Sequence, residues 1–249
     1  MKGIDISSGS GGVDFRALKN DGYQFVIARA GWGSSITQKD SRFDEYVRAA
    51  LDAGMHVGAY WFIYCRSVEE ARENARCFAE VLKPFSGRLD MPVYIDYEYD
   101  STRYYNETVG GETRELATAF IDQSAQVMES MGYYTGVYLN PDYIKNHINL
   151  DQLRRYTLWL AEWKDSTKTP SYDCALWQYA GDTRTPYASG GIDLDVCFQT
   201  DFPTIIRSGG FNGFPKDTTP SDDVPSDHST FFGHPVVFFE DGTWRKWRY

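Results

Sequence analysis

Eight short apolar runs, the first five each followed by a helical pattern, constrain this chain more than any other feature. The runs fall at residues 3–7, 23–30, 56–65, 91–100, 134–140, 157–163, 175–179 and 191–198. They are rich in β-branched and aromatic residues, the composition of strands. Helical segments follow at 14–20, 41–53, 67–82, 113–131 and 141–148. Asp14 is placed to cap the first of these, and Ser67 with Glu70 three residues on makes a capping box for the third. Gly54, Pro84 and Gly132 stop the second, third and fourth. No full helix is predicted between 164 and 190. Near-continuous apolar strands alternating with helices imply a parallel sheet covered on its outer face. Eight strands is the number that closes a small barrel. The expected fold is therefore α/β: a TIM-like barrel of five βα units followed by three strands, in one unit spanning 1–208.

Beyond it the composition changes. Residues 209–230 are rich in Pro, Ser, Thr and Asp, like a linker. Residues 231–249 are aromatic again, and Asp241-Gly242 between β-prone runs predicts a short C-terminal β-hairpin, packed on the barrel.

The fourth strand carries the chemistry. In Tyr94-Ile-Asp-Tyr-Glu98, side chains alternate, so Tyr94, Asp96 and Glu98 share one face. The two acids then sit about 6.6 Å apart at Cα, two rises of roughly 3.3 Å. Ionising both at that spacing is disfavoured, so one holds its proton. A protonated acid beside an ionised one is the equipment for cleaving a glycosidic bond. An isolated Asp-x-Glu is more often a solvated strand end, so the other strand ends matter. In barrels of this kind, functional residues sit at the C-terminal ends of the strands. There the sequence offers Asp5 on the first strand and Arg29 on the second. The third offers Tyr60, Phe62 and Tyr64, and the fifth Tyr138 and Asn140. The sixth offers either Trp159 and Trp163 or Glu162, depending on register. The seventh offers either Trp177 and Tyr179 or Gln178, and the eighth Asp193 and Asp195. The first and last strands are neighbours in a closed barrel, which lets Asp5 and Asp193 meet. Several carboxylates buried in one barrel are costly to keep without a use.

Composition excludes other classes. The formal net charge of −10 argues against nucleic acid, since phosphate binding needs basic patches. No apolar run approaches the roughly 20 residues of a membrane span. Residues 3–7 read as a strand, so no signal peptide is expected, and synthesis in a cytosol or after removal of a leader follows. The four cysteines, Cys65, Cys77, Cys174 and Cys197, form no Cys-x-x-Cys pair, so no zinc site is expected; they read as buried thiols, with one unassigned disulfide left open. None of the four histidines ends a candidate strand, which weakens a His-based triad or metallohydrolase. No metal and no organic cofactor are expected.

A set of short motifs in fixed order resembles glycoside hydrolase family 25, the Chalaropsis-type lysozymes of phage endolysins and bacterial autolysins. They are Gly3-Ile-Asp-Ile-Ser7, Phe25-Val-Ile-Ala-Arg29, Gly58-Ala-Tyr60, Tyr94-Ile-Asp-Tyr-Glu98, Trp159-Leu-Ala161, Trp177-Gln-Tyr179 and Ile192-Asp-Leu-Asp195. The resemblance covers residues 1–202 and implies a β/α barrel with five βα units and three further strands. It implies N-acetylmuramidase activity on the β-1,4 bond between N-acetylmuramic acid and N-acetylglucosamine, with peptidoglycan as the partner. Action on the cell wall would follow, either outside the cell or after release from the cytoplasm at phage lysis. By the same resemblance Glu98 matches the proton donor, expected to stay protonated near neutral pH through burial and the charge of Asp96. Asp96 matches the acid that orients the substrate's acetamido group, and Asp5 and Asp193 match two further site carboxylates. Tyr60, Tyr138 and Gln178 match sugar contacts; Phe62 and Trp177 join the substrate-binding set as strand-end aromatics. Three departures bear on subsites more than on chemistry: Ser8-Gly-Ser-Gly-Gly12 replaces a loop with Gln-Gly, Trp61 stands where a His is common, and Asp195 where an Asn is usual. A barrel that binds wall glycan without cutting it and a chitinase-like glycosidase are the alternatives. The longer acid motif of chitinases has an Asp where this chain has Tyr94. A Mg²⁺ site on the acid cluster is a third, weaker alternative.

Overall fold

The computed structural model describes residues 1–216 and, beyond them, the backbone of three short strands. In the first unit, Met1–Lys216, eight strands close into a barrel in sequence order. The strands are β1 (Lys2–Ile6), β2 (Tyr23–Trp32), β3 (His56–Phe62), β4 (Val93–Asp96), β5 (Thr135–Leu139), β6 (Thr157–Ala161), β7 (Leu176–Thr183) and β8 (Ile192–Cys197). β1 to β7 run parallel. β8 runs antiparallel to both neighbours, β7 and β1. An all-parallel barrel was the simpler expectation; a short β7–β8 connection with no helix cannot return the chain to the other end, so β8 must reverse.

The helices are α1 (Phe15–Asn20), α2 (Phe43–Asp52), α3 (Val68–Leu82), α4 (Tyr99–Thr108), α5 (Arg114–Ser130), α6 (Leu150–Leu153) and α7 (Phe202–Ser208). Asp14 caps α1 by accepting from the N–H of Ala17. Gly54, at φ +71°, provides the left-handed residue that stops α2. Only half of the predicted capping box forms at α3. Ser67 accepts from the N–H of Glu70, but the Glu70 carboxylate turns to Arg66, accepting from its backbone N–H at 2.7 Å. The predicted short helix at 141–148 forms over 141–147, with its last five residues, Tyr143–His147, wound as a π turn. α4 was not predicted: it is polar nearly throughout and buries only Ser101 and Tyr105, so no apolar period marks it.

Helix faces and the outer faces of the strands form a continuous apolar core containing Val26, Val57, Phe78, Phe120 and Ile121. Residues 209–216, placed by composition in a linker, belong to this unit. Asn212 donates to the carbonyls of Leu89 and Met91, at 2.8 and 3.1 Å, and accepts from the N–H of Tyr134 at 2.9 Å. It thus clasps the segments entering β4 and β5, at the barrel end opposite their C-termini. All four cysteines are free.

The second unit is Asp217–Tyr249. Its described strands are β9 (Ser229–Phe231), β10 (His234–Phe238) and β11 (Trp244–Lys246), with β10 central and antiparallel to both. The predicted Asp241-Gly242 turn lies outside the described residues.

Candidate active site

The C-terminal ends of β1 to β7 define one mouth of the barrel. Because β8 is reversed, its first residues, not its last, reach that mouth, and the ladder sets Asp193 directly opposite Asp5. The two carboxylates expected to meet therefore do meet, through an antiparallel pair. Asp195, two residues further along the same face, lies one layer deeper and is fully buried. Its Oδ1 accepts from Trp159 Nε1 at 2.9 Å, whereas its Oδ2 is buried with no hydrogen-bond partner among the described residues.

Gln178 organises this side of the mouth. Its Nε2 donates to Asp5 Oδ2 at 2.8 Å and, more weakly, to Asp193 Oδ2 at 3.5 Å. Its Oε1 accepts from Tyr138 Oη at 3.2 Å and Trp163 Nε1 at 2.9 Å. Gln178 thus points inward, resolving the register alternative on β7. Trp177, expected among the substrate-binding residues, faces the other way. It is 1% exposed, donates to the carbonyl of Glu162 and packs on Tyr179 and Phe198. Strict strand alternation allows only one of the two neighbours to reach the mouth.

Aromatic rings fill the barrel beneath the acids. Trp159 is central, with Tyr60, Tyr94 and Tyr138 packed against it at ring-centroid distances of 5.8, 5.1 and 4.7 Å. Burial holds the hydroxyls of Tyr60 and Tyr138 well above their usual range, so both stay neutral donors. Phe62 is in register with Asp96 and stacks on Tyr64 at 4.9 Å; Tyr64 meets Tyr104 of α4 edge-on at 5.5 Å.

The central pair is split between two elements. β4 ends at Asp96, and Glu98 is the N-cap of α4, not a strand residue. Its backbone remains extended (φ −140°, ψ −164°), so the alternation that placed both acids on one side survives the end of the ladder. Ser101 Oγ accepts from the Glu98 N–H at 3.3 Å, fixing this corner. Asp96 is 4% exposed, and its Oδ1 has no hydrogen-bond partner among the described residues. Burial raises Asp96 well above the usual carboxylate range; the charge of Glu98 adds to this and the Arg29 guanidinium offsets part of it. Glu98 is half-buried and pushed up to about 7, by burial first and then by the charges of Asp100 and Asp193. The expected causes were burial and the charge of Asp96; burial does lead, and the charges that add to it are those of Asp100 and Asp193.

The opposite corner of the mouth is set by Arg29. Its Nε donates to Asp40 Oδ2 at 2.9 Å and its Nη2 to Ser8 Oγ at 3.2 Å. Asp40 also accepts from the Ser8 N–H at 3.0 Å, which pins the loop that departs from the family motif. Asp40 was not singled out in the sequence, and Asp195 was offered as a strand-end candidate but not among the catalytic or substrate-binding residues. Nothing in its neighbours distinguishes Asp40 in sequence, whereas Asp195 shares its strand face with Asp193.

A family model described as Glycosyl hydrolases family 25 matches residues 4–187. The chain belongs to glycosyl hydrolases family 25. It is 28% identical over 212 residues to the autolytic lysozyme of Clostridium acetobutylicum, covering 84% of this chain and 58% of that relative. The chain thus spans little more than half the length of that lysozyme. Among solved structures it resembles the catalytic domain of an endolysin from bacteriophage P40 of Listeria monocytogenes. That match has a TM-score of 0.67 and 23% identity, over 86% of this chain and 97% of the other. The autolysin LytC of Streptococcus pneumoniae, solved with a synthetic peptidoglycan ligand, matches with a TM-score of 0.66 and 21% identity, over 79% of this chain and 46% of the other. These likenesses show the same fold over 79% and 86% of the chain.

Proposed function

We propose that this protein is a peptidoglycan hydrolase, an N-acetylmuramidase that cleaves the β-1,4 bond between N-acetylmuramic acid and N-acetylglucosamine. The observation that carries the proposal is the pair at the mouth. Glu98 is raised to about 7, beside Asp96, whose buried Oδ1 has no hydrogen-bond partner among the described residues. Membership of family 25 and the lysozyme and autolysin relatives support the substrate class.

In this reading Glu98, the more exposed of the two, donates its proton to the leaving glycosidic oxygen. An acid poised near neutrality balances proton availability against donor strength. Asp96 accepts the acetamido N–H of the substrate sugar with its free oxygen. It thereby holds the acetamido carbonyl against the anomeric carbon, where that carbonyl oxygen stabilises the positive charge that develops. Asp193, tied to Asp5 through Gln178, adds to the negative field that keeps Glu98 protonated, after burial and the charge of Asp100. Tyr60, Phe62 and Tyr138 line the sugar site.

The test is turbidity loss of purified Gram-positive walls with wild type and Glu98→Gln, with mass analysis of the released fragments. The expected result is fragments ending in reducing muramic acid, and a loss of at least about 100-fold in the variant, the low end of what general acid catalysis contributes. Release of chitin oligomers in preference to wall fragments would replace this reading with a chitinase-like one. Wall binding with no release by either protein would replace it with a glycan-binding barrel.

A further inference from the structure

Trp163 is 67% exposed, the highest value among the exposed large apolar side chains of the first unit. A lone exposed apolar residue needs no explanation. This one is built in three ways. Its single polar atom is committed inward, Nε1 donating to the buried Gln178 at 2.9 Å. Its backbone is held on both sides, because the N–H groups of Glu162 and Lys164 donate to the carbonyls of Gln178 and Tyr179, each at 3.0 Å. Its ring lies over Gly181, where a Cβ would come within 2.2 Å of Trp163 Cζ2. The glycine leaves the space that the indole occupies. An aromatic ring fixed by a hydrogen bond at one edge and by backbone beneath it leaves one face open.

That face stands at the barrel mouth. Gln178 joins Trp163 to Tyr138, which is in register with Asp96. Phe62 ends β3, three strands around the barrel from β6, which Trp163 follows, and there the Phe62–Tyr64 stack forms the other wall. β-linked hexosamine rings carry their hydroxyls equatorially and present C–H groups on each face, which an aromatic ring covers without competing for hydrogen bonds. We propose that Trp163 is a specificity platform that stacks on the pyranose ring of a hexosamine adjoining the cleaved bond, with Gln178 and Gly181 as its positioning residues. This rests on the glycan-hydrolase reading given above.

The experiment compares wild type, Trp163→Ala, Trp163→Phe and Gly181→Ala on a soluble β-1,4-linked N-acetylglucosamine–N-acetylmuramic acid oligosaccharide. The same oligosaccharide is titrated into Glu98→Gln, alone and combined with Trp163→Phe, while tryptophan emission is recorded. Trp163→Ala is expected to raise KM about tenfold while kcat stays within a few-fold, the scale of one aromatic stacking contact. Trp163→Phe recovers part of the loss, and Gly181→Ala, which displaces the indole, falls between. The oligosaccharide blue-shifts emission in Glu98→Gln, and the shift disappears with Trp163→Phe. An unchanged KM in Trp163→Ala, or a blue shift that persists without the indole, overturns the platform. A wild type that binds the oligosaccharide without cutting it overturns the hydrolase reading, while the emission arm still decides the platform.

Discussion

Gln178 Nε2 donates to Asp5 Oδ2 at 2.8 Å across 173 residues of chain, and joins the first strand of the barrel to the seventh. The same amide accepts from Tyr138 and Trp163. One buried side chain therefore holds a carboxylate, a tyrosine and an exposed indole at fixed distances. Gln178→Leu keeps the volume and removes every bond. It leaves Asp5 without its one amide donor among the described residues, and a buried group left unsatisfied costs about 1–3 kcal/mol. The expected outcome is about 2 kcal/mol of lost stability in denaturant unfolding, with kcat/KM falling more than tenfold as the mouth loosens. Unchanged kinetics in a folded variant would remove Gln178 from the site.

Asp100 is the charge that adds most to the raised Glu98 carboxyl after burial itself. A proton donor loses rate as pH rises through its pKa, so the alkaline limb of kcat/KM should fall near 7. Asp100→Asn removes a like charge from solvent at the first turn of α4. The limb should move to lower pH by a fraction of a unit, with the maximum rate nearly unchanged. A pH profile at low salt, where exposed charges are least screened, measures it. A shift to higher pH would contradict the assignment of the limb to Glu98.

The barrel and its acid pair were legible because both follow from strand periodicity. Alternating sides placed Asp96 with Glu98, and strand count placed Asp5 beside Asp193. Reversal of β8 could not be read from residue types; it follows from a missing crossover helix, a feature of spacing. α4 escaped because ten mostly polar residues give no apolar period. Trp177 was misplaced because one residue of register exchanges inside for outside, and neither Trp177 nor Gln178 carries a mark of its side until the ladder is known. Asp40 escaped for a different reason: it acts from a loop on Arg29 and Ser8, and loop contacts have no period.

Stability should fall as pH rises. Burial raises Asp195 to about 8 and Glu98 to about 7, and also lifts Asp5 and Asp96. An unfolded carboxyl releases its proton near pH 4. Between there and about pH 8 the folded chain therefore holds more protons than the unfolded one. The contribution of these groups is complete below the unfolded range and is lost as pH climbs through the folded values. Asp195→Asn cannot ionise and still accepts from Trp159. Its Tm should exceed that of wild type by about 2–4 °C at pH 9, the shift that ~1 kcal/mol produces in a domain of this size, and match it at pH 5. Equal Tm values across the whole range would mean that Asp195 does not bear this cost.

Asn212 tests the far end of the barrel. Besides its three side-chain bonds, its N–H donates to the Gly132 carbonyl and its own carbonyl accepts from Gly87, while its backbone is left-handed at φ +54°. Asn212→Ala strands the carbonyls of Leu89 and Met91 and the N–H of Tyr134, and adds the strain of a Cβ in that conformation. Asn212→Gly strands the same groups without the strain. Alanine should cost about 3 kcal/mol, and glycine about 1 kcal/mol less, the usual penalty of a left-handed residue. Because the clasp lies opposite the mouth, both variants should keep wild-type kcat at temperatures where they remain folded. Denaturant unfolding with parallel assays separates the two effects. A large kcat loss in folded Asn212→Gly would show that the clasp sets the geometry of β4 and its Asp96, rather than only holding the barrel closed.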